Sequence, residues 1–421
     1  MALSMDASVN DAPPGQIGTQ GLVKNGHVDI ELFAGSGGMT LGLAREGLSP
    51  DHLFELDKHC CETLKHNAKG ANPSVTGEVH PEDVSLVDWS RIQKPVRLLS
   101  GGPPCQPFSM GGKHLAERDG RNQFPAALRA IRELRPAVVL LENVPGLARE
   151  SFRPYLDYIQ RQLRYPSVEP LHEELWEDQD ARILQHEVSA GREPEYHVQR
   201  WILNAADYGV AQARVRLFFV ATRSGLPSVE GAPIPTHSRA ALIRVQGEGS
   251  YWHERSLPLK TRDEWPRRVH GESNGLGADY APWCTVRDAL KGLSAPLLED
   301  IRGDNHWLIP GARIYRRHSG SELDWPAKTI KAGVHGVGGG ENVLLLDNGR
   351  HRYFTLREMA RLQGFPDHFI FTGPRSRIIG QIGNAVPLPL VQAIAERLKP
   401  TLAALMPSSC RREYDTQSGM D

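Results

Sequence analysis

The sequence lacks several features that define whole classes of protein. Its 421 residues include only five cysteines, an odd number, and no two of them form a Cys-x-x-Cys pair. No secretion signal precedes them, so the pattern disfavours a disulfide framework or a cysteine-rich zinc site and favours a reducing cytoplasm. We see no apolar run long enough to span a bilayer, so we expect no membrane partner. We expect no bound metal either.

A basic charge balance is also missing. Lysine and arginine together number 49 and aspartate and glutamate 50, which gives a formal net charge of −1. Many nucleic-acid-binding proteins are basic, so the overall charge does not favour that class. A local group of lysines and arginines could still supply a binding surface.

Short apolar runs alternate with helix-like stretches in the first half of the chain. The predicted strands cover residues 27–33, 51–56, 96–100, 137–141 and 215–222, and the predicted helices cover 38–47, 58–67 and 124–134. This alternation predicts an α/β fold with a parallel, doubly wound sheet. Ligands bind at the carboxyl ends of such strands, so the loops after Phe33, Leu56, Ser100 and Leu141 should share one edge.

Composition shifts divide the chain into regions. Residues 1–26 and 406–421 are predicted to be a disordered lead-in and a tail. Residues 225–350 are rich in Gly, Pro, His, Trp and Arg, which predicts a second, smaller domain. The larger domain should then combine 27–224 with 351–405, where helical patterns return at 355–362 and 389–398. A charged stretch at 165–195 is predicted to be a solvated helical insertion.

A glycine-rich turn follows the first predicted strand. Its sequence is Phe33-Ala34-Gly35-Ser36-Gly37-Gly38. Glycines allow close backbone approach to a ligand, and Glu55, about twenty residues after the first glycine, has the spacing of a carboxylate that binds ribose hydroxyls. The turn and Glu55 therefore suggest a nucleoside-like cofactor, although a tight strand–helix turn would also need glycines.

A single cysteine stands in a stiff loop after the third predicted strand. The loop reads Gly101-Gly102-Pro103-Pro104-Cys105-Gln106-Pro107-Phe108-Ser109. A thiolate is both a strong nucleophile and a good leaving group, which suits transient covalent chemistry at Cys105. The commoner fate of a lone cysteine is inert burial.

A carboxyl and an amide follow the next buried strand, in Glu142-Asn143-Val144. A carboxylic acid in a closed site could protonate or hydrogen-bond a ring nitrogen. The competing interpretation is a Glu-Asn pair that caps a helix or stabilises a turn.

Two arginines enter the last predicted strand of the first half, in Gln212-Ala213-Arg214-Val215-Arg216. Alternation along a strand places both on one face. Two guanidinium groups aimed at one point would suit a phosphate, a carboxylate or an exocyclic oxygen. Solvated arginines on an edge strand are the alternative.

The order of these motifs, followed by Gly383-Asn384-Ala385-Val386-Pro387, resembles that of the bacterial type of C5-cytosine-specific DNA methyltransferases. The resemblance covers about residues 28–222 and 353–398 and includes the framework-like segment 357–366. It implies a Rossmann-like, S-adenosylmethionine-dependent methyltransferase sheet with a smaller target-recognition domain at 225–350.

The resemblance also implies which residues bind S-adenosylmethionine and its product S-adenosylhomocysteine. Glu55 matches the family's ribose carboxylate, and Asp83 with Val84 is similar to its adenine contact. Leu56 stands where the family often has an aromatic residue, so plain apolar contact could replace adenine stacking. The remaining matched cofactor positions are Phe33, Ala34, Gly35, Ser36, Gly37, Gly38, Pro104, Asn384 and Ala385.

The same resemblance implies a covalent mechanism on a flipped base. Cys105 would add to C6 of cytosine while Glu142 bonds N3 and the exocyclic amine. Arg216 would hold the O2 oxygen and Arg214 would brace the site. The enzyme cannot reach a base inside a duplex, so the target cytosine would have to flip out of the helix, as bases do in complexes with DNA methyltransferases. Gln106 and Asn143 complete the implied catalytic set.

The predicted DNA contacts lie in two places. Segment 106–121 is similar to the family's mobile loop, where Ser109 and Lys113 would touch DNA. In the recognition region the corresponding residues are Arg316, Arg317, Thr329 and Ile330. We expect double-stranded DNA as substrate, a monomer, and a bacterial restriction–modification or orphan methylation setting with any cognate endonuclease acting independently.

Three alternatives stay open at this point. The transfer-RNA branch of the family usually has Thr-Arg after the Pro-Phe of the cysteine loop and a Cys-Phe-Thr signature. This chain has Ser109-Met110 and Trp283-Cys284-Thr285 at those places. A DNA-binding protein with a dead site would be expected to lack Cys105, Glu142 or a turn glycine. A dehydrogenase would leave the cysteine loop and Glu142 unexplained.

Overall fold

The computed structural model describes residues 24–69, 74–104, 122–190, 193–260, 277, 279–314, 320–333 and 342–405. The predicted tail and most of the predicted lead-in lie outside this range. So do six predicted site residues, namely Cys105, Gln106, Ser109, Lys113, Arg316 and Arg317. At the end of the lead-in, Lys24 donates to Ser49 O at 2.5 Å and to Asp51 Oδ2 at 2.7 Å, so the prediction of disorder is wrong there.

A large mixed sheet forms the centre of the described structure. Its seven strands there are β1 (Val28–Leu32), β2 (His52–Phe54), β3 (Glu78–His80), β4 (Val96–Gly101), β5 (Val138–Asn143), β6 (Tyr196–Asn204) and β7 (Val215–Arg223). Their order is β3-β2-β1-β4-β5-β7-β6. The first five strands are parallel, which confirms the predicted doubly wound core.

The parallel prediction is wrong for the other edge of the sheet. Strand β7 runs antiparallel to both β5 and β6. Strands β6 and β7 follow each other along the chain and pair directly, without a crossover helix between them, and that connection produces antiparallel neighbours. Strands β3 and β6 were not predicted.

Helices cover both faces of the sheet. The described helices are α1 (Gly38–Ala44), α2 (Lys58–Asn67), α3 (Phe124–Leu134), α4 (Arg153–Arg164), α5 (Trp176–Ala190), α6 (Arg239–Glu248), α7 (Ser250–Glu254), α8 (Val286–Leu290), α9 (Leu356–Arg361), α10 (Arg375–Asn384) and α11 (Leu388–Ala403). Side chains alternate across β5, so Val139 packs with α3 and α4 while Val138 packs with α1 and α11. These two apolar layers hold the sheet edge that carries the site.

The charged stretch before β6 forms a helix, as predicted, but it is not simply solvated. Ile183 of α5 is fully buried against the core that includes α4. Arg161 of α4 donates to Asp180 of α5 through Nε at 2.6 Å, and Arg164 pairs with Glu187 at 2.6 Å. The acidic residues therefore attach α5 to α4.

One stretch is long and apolar enough to cross a membrane by length and composition, contrary to our reading of the sequence. It covers Arg375–Ala403, and 72% of its apolar window is buried inside the protein. The stretch consists of α10 and α11, and α11 packs through Leu390 and Ile394 against the sheet. Its apolar character is accounted for by core packing.

The region after β7 has shorter elements. Strands β8 (His237–Ser238) and β9 (Ala281–Pro282) pair in parallel, and β10 (Ser321–Glu322), β11 (Val343–Leu345) and β12 (His351–Tyr353) form a three-stranded sheet. An aromatic core of Tyr251, Trp252, Trp283 and Trp325 holds α6 and α7 in place. The predicted domain boundary at 350/351 falls between β11 and β12, which are paired strands.

Candidate active site

Four loops meet at one edge of the large sheet, as predicted. Strands β1, β2, β4 and β5 are parallel neighbours, so the segments that follow them leave the sheet at the same edge. A Cβ on Gly101 would lie 2.6 Å from Leu32 O, which shows how closely β4 approaches β1 there. We call the part after β1 and β2, which carries most of the predicted cofactor residues, the cofactor side, and the part after β4 and β5, which carries residues predicted to contact the base, the base side.

On the cofactor side, Glu55 is fixed by the glycine-rich turn. The Gly35 N–H donates to Glu55 Oε2 at 2.7 Å, and the Asp57 N–H donates to Oε1 at 2.7 Å. Burial raises the pKa of Glu55, while these backbone bonds oppose that rise. Phe33 has a φ of 53°, a rare conformation for a residue other than glycine, and such strain often lies at binding sites.

Two further predicted cofactor residues lie next to Glu55. The Leu56 side chain is 65% exposed at the end of β2, although it is large and apolar. Asp83 caps a short helical turn by accepting from Ser85 N and Ser85 Oγ, both through Oδ1, at 2.9 and 2.7 Å. Val84 is buried. Leu56 therefore offers an apolar surface to a ring, and Asp83 Oδ2 has no hydrogen bond within the described residues.

The returning C-terminal segment packs directly on the glycine-rich turn. A Cβ on Gly38 would lie 2.7 Å from Val386 O and 3.0 Å from the Ala385 Cβ, so only glycine allows this contact. Ser36 Oγ donates to Gln381 O at 3.3 Å. Asn384 ends α10 and is exposed. The structure thus brings Ala385 and Asn384 next to the turn.

On the base side, Glu142 is buried and paired. It is 9% exposed, and Arg216 Nε lies 2.9 Å from its Oε1. Burial raises the pKa of Glu142, and the positive charges of Arg216 and Arg214 oppose that rise. Its Oε2 lies 3.3 Å from where a Cβ on Gly102 would be, so the cysteine loop passes directly over this carboxyl.

Asn143 holds the start of the cysteine loop. Its amide nitrogen donates to Pro103 O at 3.0 Å, and its Oδ1 accepts from Val144 N at 2.9 Å. Pro104 O accepts from Gln123 N at 3.0 Å, so the two ends of the segment that contains Cys105 are joined next to Glu142. The described start of the cysteine loop, up to Pro104, thus lies at the same edge as Glu142, as predicted for the loops after Ser100 and Leu141.

The two predicted arginines diverge instead of meeting at one point. Arg216 bonds Glu142, whereas Arg214 donates to Ile330 O at 3.1 Å and to Gly383 O at 2.7 Å. Burial lowers the pKa of Arg214, and the neighbouring Arg216 lowers it further. Arg214 therefore ties the recognition region and the returning segment to the base side.

Sequence reasoning missed a buried pair of glutamines. Gln212 Nε2 donates to Gln363 Oε1 at 3.0 Å, and Gln212 Oε1 accepts from Ile330 N at 2.9 Å. Gln363 in turn donates to Ile382 O at 2.7 Å. Buried amides are stable only when bonded in this way. The sequence signal that could have indicated a buried, hydrogen-bonded amide was the position of Gln212 among the small apolar residues of segment 210–213.

Two residues predicted to contact DNA are held by the same segment. Thr329 Oγ1 donates to Ala213 O at 2.9 Å. Ile330 is 1% exposed and packs in a core shared with α9 and α10. The prediction that the Ile330 side chain touches DNA is therefore corrected, because this side chain has a packing role.

The charges of the cleft fit the cofactor that the motifs imply. Glu55 makes no ion pair within the described residues. S-adenosylmethionine carries a sulfonium charge, which an acidic pocket favours. The Glu55 carboxylate also has the acceptor oxygens that a ribose diol needs.

Comparison with known proteins gives the family. The model of the C-5 cytosine-specific DNA methylase family matches residues 28–165 and 173–400. The Type II methyltransferase M.NgoMIV of Neisseria gonorrhoeae is 29% identical over 377 residues, which cover 88% of this chain and 96% of that protein. M.Eco47II of Escherichia coli, also a Type II methyltransferase, is 30% identical over 382 residues, covering 88% and 78%.

A solved structure agrees in fold. A DNMT2 mutant from Spodoptera frugiperda superposes with a TM-score of 0.55 over 89% of this chain and 99% of that one, at 16% identity. Only residues 166–172 interrupt the family match, so α5 lies within the matched range. The RNA-acting, binding-only and dehydrogenase alternatives lose their support. The chain belongs to the C-5 cytosine-specific DNA methylase family and is a DNA cytosine-5 methyltransferase that uses S-adenosylmethionine.

Proposed function

We propose that this enzyme methylates cytosine through a covalent adduct on Cys105. The thiolate adds to C6 of a flipped cytosine, which makes C5 nucleophilic. S-adenosylmethionine supplies the methyl group that C5 takes. A base, for which water suffices, then removes the C5 proton, and the Cys105–C6 bond breaks to restore the ring.

The observation that carries this proposal is the position of Glu142. Its carboxyl is buried beneath Gly102, three residues before Cys105, and Arg216 orients it through Oε1. The carboxyl would bond N3 and the exocyclic amine of the base, which would draw charge out of the ring as Cys105 adds. Burial raises the pKa of Glu142, which favours a proton shared with N3.

Asn143 and Arg214 act as positioning residues in this proposal. Asn143 fixes the Pro103 carbonyl and with it the path of the cysteine loop. Arg214 holds Gly383 O, next to Asn384, and Ile330 O of the recognition region. Arg216, only 9% exposed beside Glu142, would reach the O2 oxygen of the base.

The region 225–350 is proposed to read the DNA sequence. Several of its cations already have acidic partners: Arg287 pairs with Asp324 and Asp347, Lys260 with Asp324, and Arg255 with Asp288. These residues stabilise the region itself. On the family resemblance, we assign the DNA contacts to Arg316 and Arg317 and to Ser109 and Lys113 of the cysteine loop.

The biological setting follows from the relatives. The two curated relatives described above, M.NgoMIV and M.Eco47II, are among several that match, and both are Type II methyltransferases. We place this enzyme in a bacterial restriction–modification or orphan methylation system in the cytoplasm. It would act as a monomer on double-stranded DNA, and any cognate endonuclease would act separately.

Bisulfite sequencing tests the proposal. Mixed-sequence genomic DNA and total RNA are incubated in parallel with the enzyme and S-adenosylmethionine. We expect protected cytosines in one short DNA motif and none with the Cys105→Ser variant. Methyl transfer by that variant would refute the covalent mechanism, and protection of RNA alone would refute the substrate.

A trapping experiment isolates the covalent step. In DNA that contains 5-fluorocytosine at the target, fluorine replaces the proton that must leave C5, so the adduct cannot resolve. We expect a stable protein–DNA adduct that resists denaturation. The matched control is Cys284→Ser, a half-buried cysteine that has no role in the proposed mechanism, and this variant should still form the adduct.

A further inference from the structure

A group of potential metal ligands lies at the outer edge of the large sheet. Strand β3 is the edge strand and pairs with β2 in register, with His52 opposite Glu78 and Phe54 opposite His80. Residues two apart on a strand share a face, so all four side chains project from the same side of the sheet. The methyl transfer proposed above uses none of them.

The donor atoms of three of these residues form a compact triangle. His52 Nδ1 lies 3.0 Å from His80 Nε2, and Glu78 Oε2 lies 3.8 Å from each of these nitrogens. A point equidistant from the corners of such a triangle lies about 2.1 Å from each, which equals the bond length of Zn²⁺ to imidazole nitrogen and carboxylate oxygen. The donors thus already surround a position that fits a metal ion.

The surroundings fix the ligands as known metal sites do. Glu82 Oε1 lies 3.8 Å from the Nδ1 of His80, on the far side of the ring from the triangle, and Arg91 holds that glutamate at 2.9 Å. Phe54 stacks on the His80 ring at 4.7 Å with an interplanar angle of 17°. At 3.8 Å Glu82 does not accept a hydrogen bond from His80, but a carboxylate charge behind a ligating histidine increases the basicity of the ring. The alternative is that His52 and His80 only share a hydrogen bond. That interpretation does not explain why the Glu78 carboxylate lies close to both rings.

We propose that His52, Glu78 and His80 bind one divalent transition-metal ion of the Zn²⁺ class. Two imidazoles and one carboxylate suit Zn²⁺, with water as the fourth ligand on the exposed side. The ion would fasten the edge strand β3 to β2. It takes no part in the chemistry of methyl transfer.

The position of this site links it to the cofactor side of the cleft. Strand β2 leads into Glu55 and β3 leads into Asp83, and the Glu55 N–H donates to His80 O at 3.1 Å. Fastening the two strands would therefore limit motion of both cofactor loops. The ion should raise the melting temperature of the enzyme and increase its affinity for S-adenosylhomocysteine, in the absence of any DNA.

The test uses full-length enzyme without a histidine tag, after treatment with a chelator. Binding of Zn²⁺ is measured by competition with a chromophoric chelator, and Co²⁺ is used as a spectroscopic probe. We expect one ion per chain and the visible absorption of a four-coordinate Co²⁺ site. The sulfur charge-transfer band that a cysteine ligand would add should be absent.

Four variants decide the assignment. His52→Gln and Glu78→Gln should each weaken the binding of Zn²⁺ more than about tenfold, and Glu82→Gln about tenfold, as expected for a group behind the ligand. His66→Gln changes an exposed histidine of α2 and should bind as the wild type does. Glu78 is 70% exposed, so its replacement leaves folding intact.

Equal Zn²⁺ affinity in His52→Gln, Glu78→Gln and wild type would overturn the proposal. So would a Co²⁺ spectrum with a cysteine band, or no binding of either ion by the wild type. In that last case, the two histidines only share a hydrogen bond.

Discussion

Two glutamates face the cleft from its two sides, and their surroundings differ. On the cofactor side, Glu55 accepts bonds from two backbone N–H groups, and neither it nor the buried Glu31 has an ion-pair partner within the described residues. On the base side, Glu142 is paired with Arg216 and lies in the field of Arg214. Burial raises the pKa of all three carboxyls, but only Glu142 has cations that oppose it.

This difference indicates how one cleft can bind both the cofactor and the target cytosine. S-adenosylmethionine brings its own positive charge, so the Glu55 carboxylate, which has no cationic partner within the described residues, favours it over the neutral sulfur of the product. Cytosine brings no charge, and its ring must become electron-poor as the thiolate adds. In the proposed mechanism, the arginines would balance the charge of Glu142 and hold its carboxyl beside the base.

The largest effect is expected on the base side. Glu142→Gln keeps the shape of the side chain but cannot share a proton with N3, so the rate of methyl transfer should fall by about 10²–10⁴. The affinity for S-adenosylhomocysteine should stay as in the wild type, because the cofactor side is unchanged. Single-turnover transfer of labelled methyl groups and calorimetry measure the two quantities. A wild-type rate would remove Glu142 from its role.

The next largest effect is a loss of stability on replacement of Arg214, which we propose to be a positioning residue. Arg214→Met leaves Ile330 O and Gly383 O without their buried donor. Each unsatisfied buried carbonyl group costs about 1–3 kcal/mol of stability. Part of this cost is offset because the variant no longer buries a charged guanidinium group, so we expect the free energy of unfolding to fall by about 2 kcal/mol. Urea unfolding measures it. The control Arg223→Met changes a partly buried arginine at the far end of β7, whose hydrogen bond to Arg135 O is exposed, and it should change stability little. Equal losses would mean that Arg214 has no special role in holding the two carbonyl groups.

Local patterns were sufficient for elements with strong signals at their ends. Helix α2 begins after Asp57, whose side chain accepts from His59 N and Cys60 N, and its predicted bounds are correct. Helix α3 ends where Arg135 takes a left-handed conformation before Pro136. Such signals lie within a few residues of the element they define.

Other features depend on distant parts of the chain. Strand β6 was missed because it is an edge strand with exposed and charged positions such as Arg200. The bond between Gln212 and Gln363 joins residues 151 apart in sequence, and nothing near either glutamine indicates its partner. The direction of Arg214 likewise depends on carbonyl groups 116 and 169 residues away.

A smaller effect tests the charge of the cofactor side. In Glu55→Gln, an amide NH₂ would face either the Gly35 or the Asp57 N–H, which replaces an acceptor with a donor. We expect about a tenfold loss of cofactor affinity, the size of one hydrogen bond to a charged group. The loss should be larger for S-adenosylmethionine than for S-adenosylhomocysteine, because only the former is a sulfonium. Calorimetry with both ligands measures this, and equal losses would contradict the charge argument.

The smallest effect concerns Glu31, which accepts a hydrogen bond from Thr40 Oγ1 at 2.9 Å. Burial raises its pKa from 4.5 to about 8 in the folded enzyme. Between these values the folded state holds a proton that the unfolded state releases, so stability falls as the pH rises through this window. Glu31→Gln resembles the protonated form and removes that dependence. The variant should match the wild type near about pH 5 and exceed it in stability near about pH 9, as measured by urea unfolding across that range. If the difference stayed constant with pH, Glu31 would be ionised in the folded enzyme, and the cofactor side would hold one more negative charge for the sulfonium to meet.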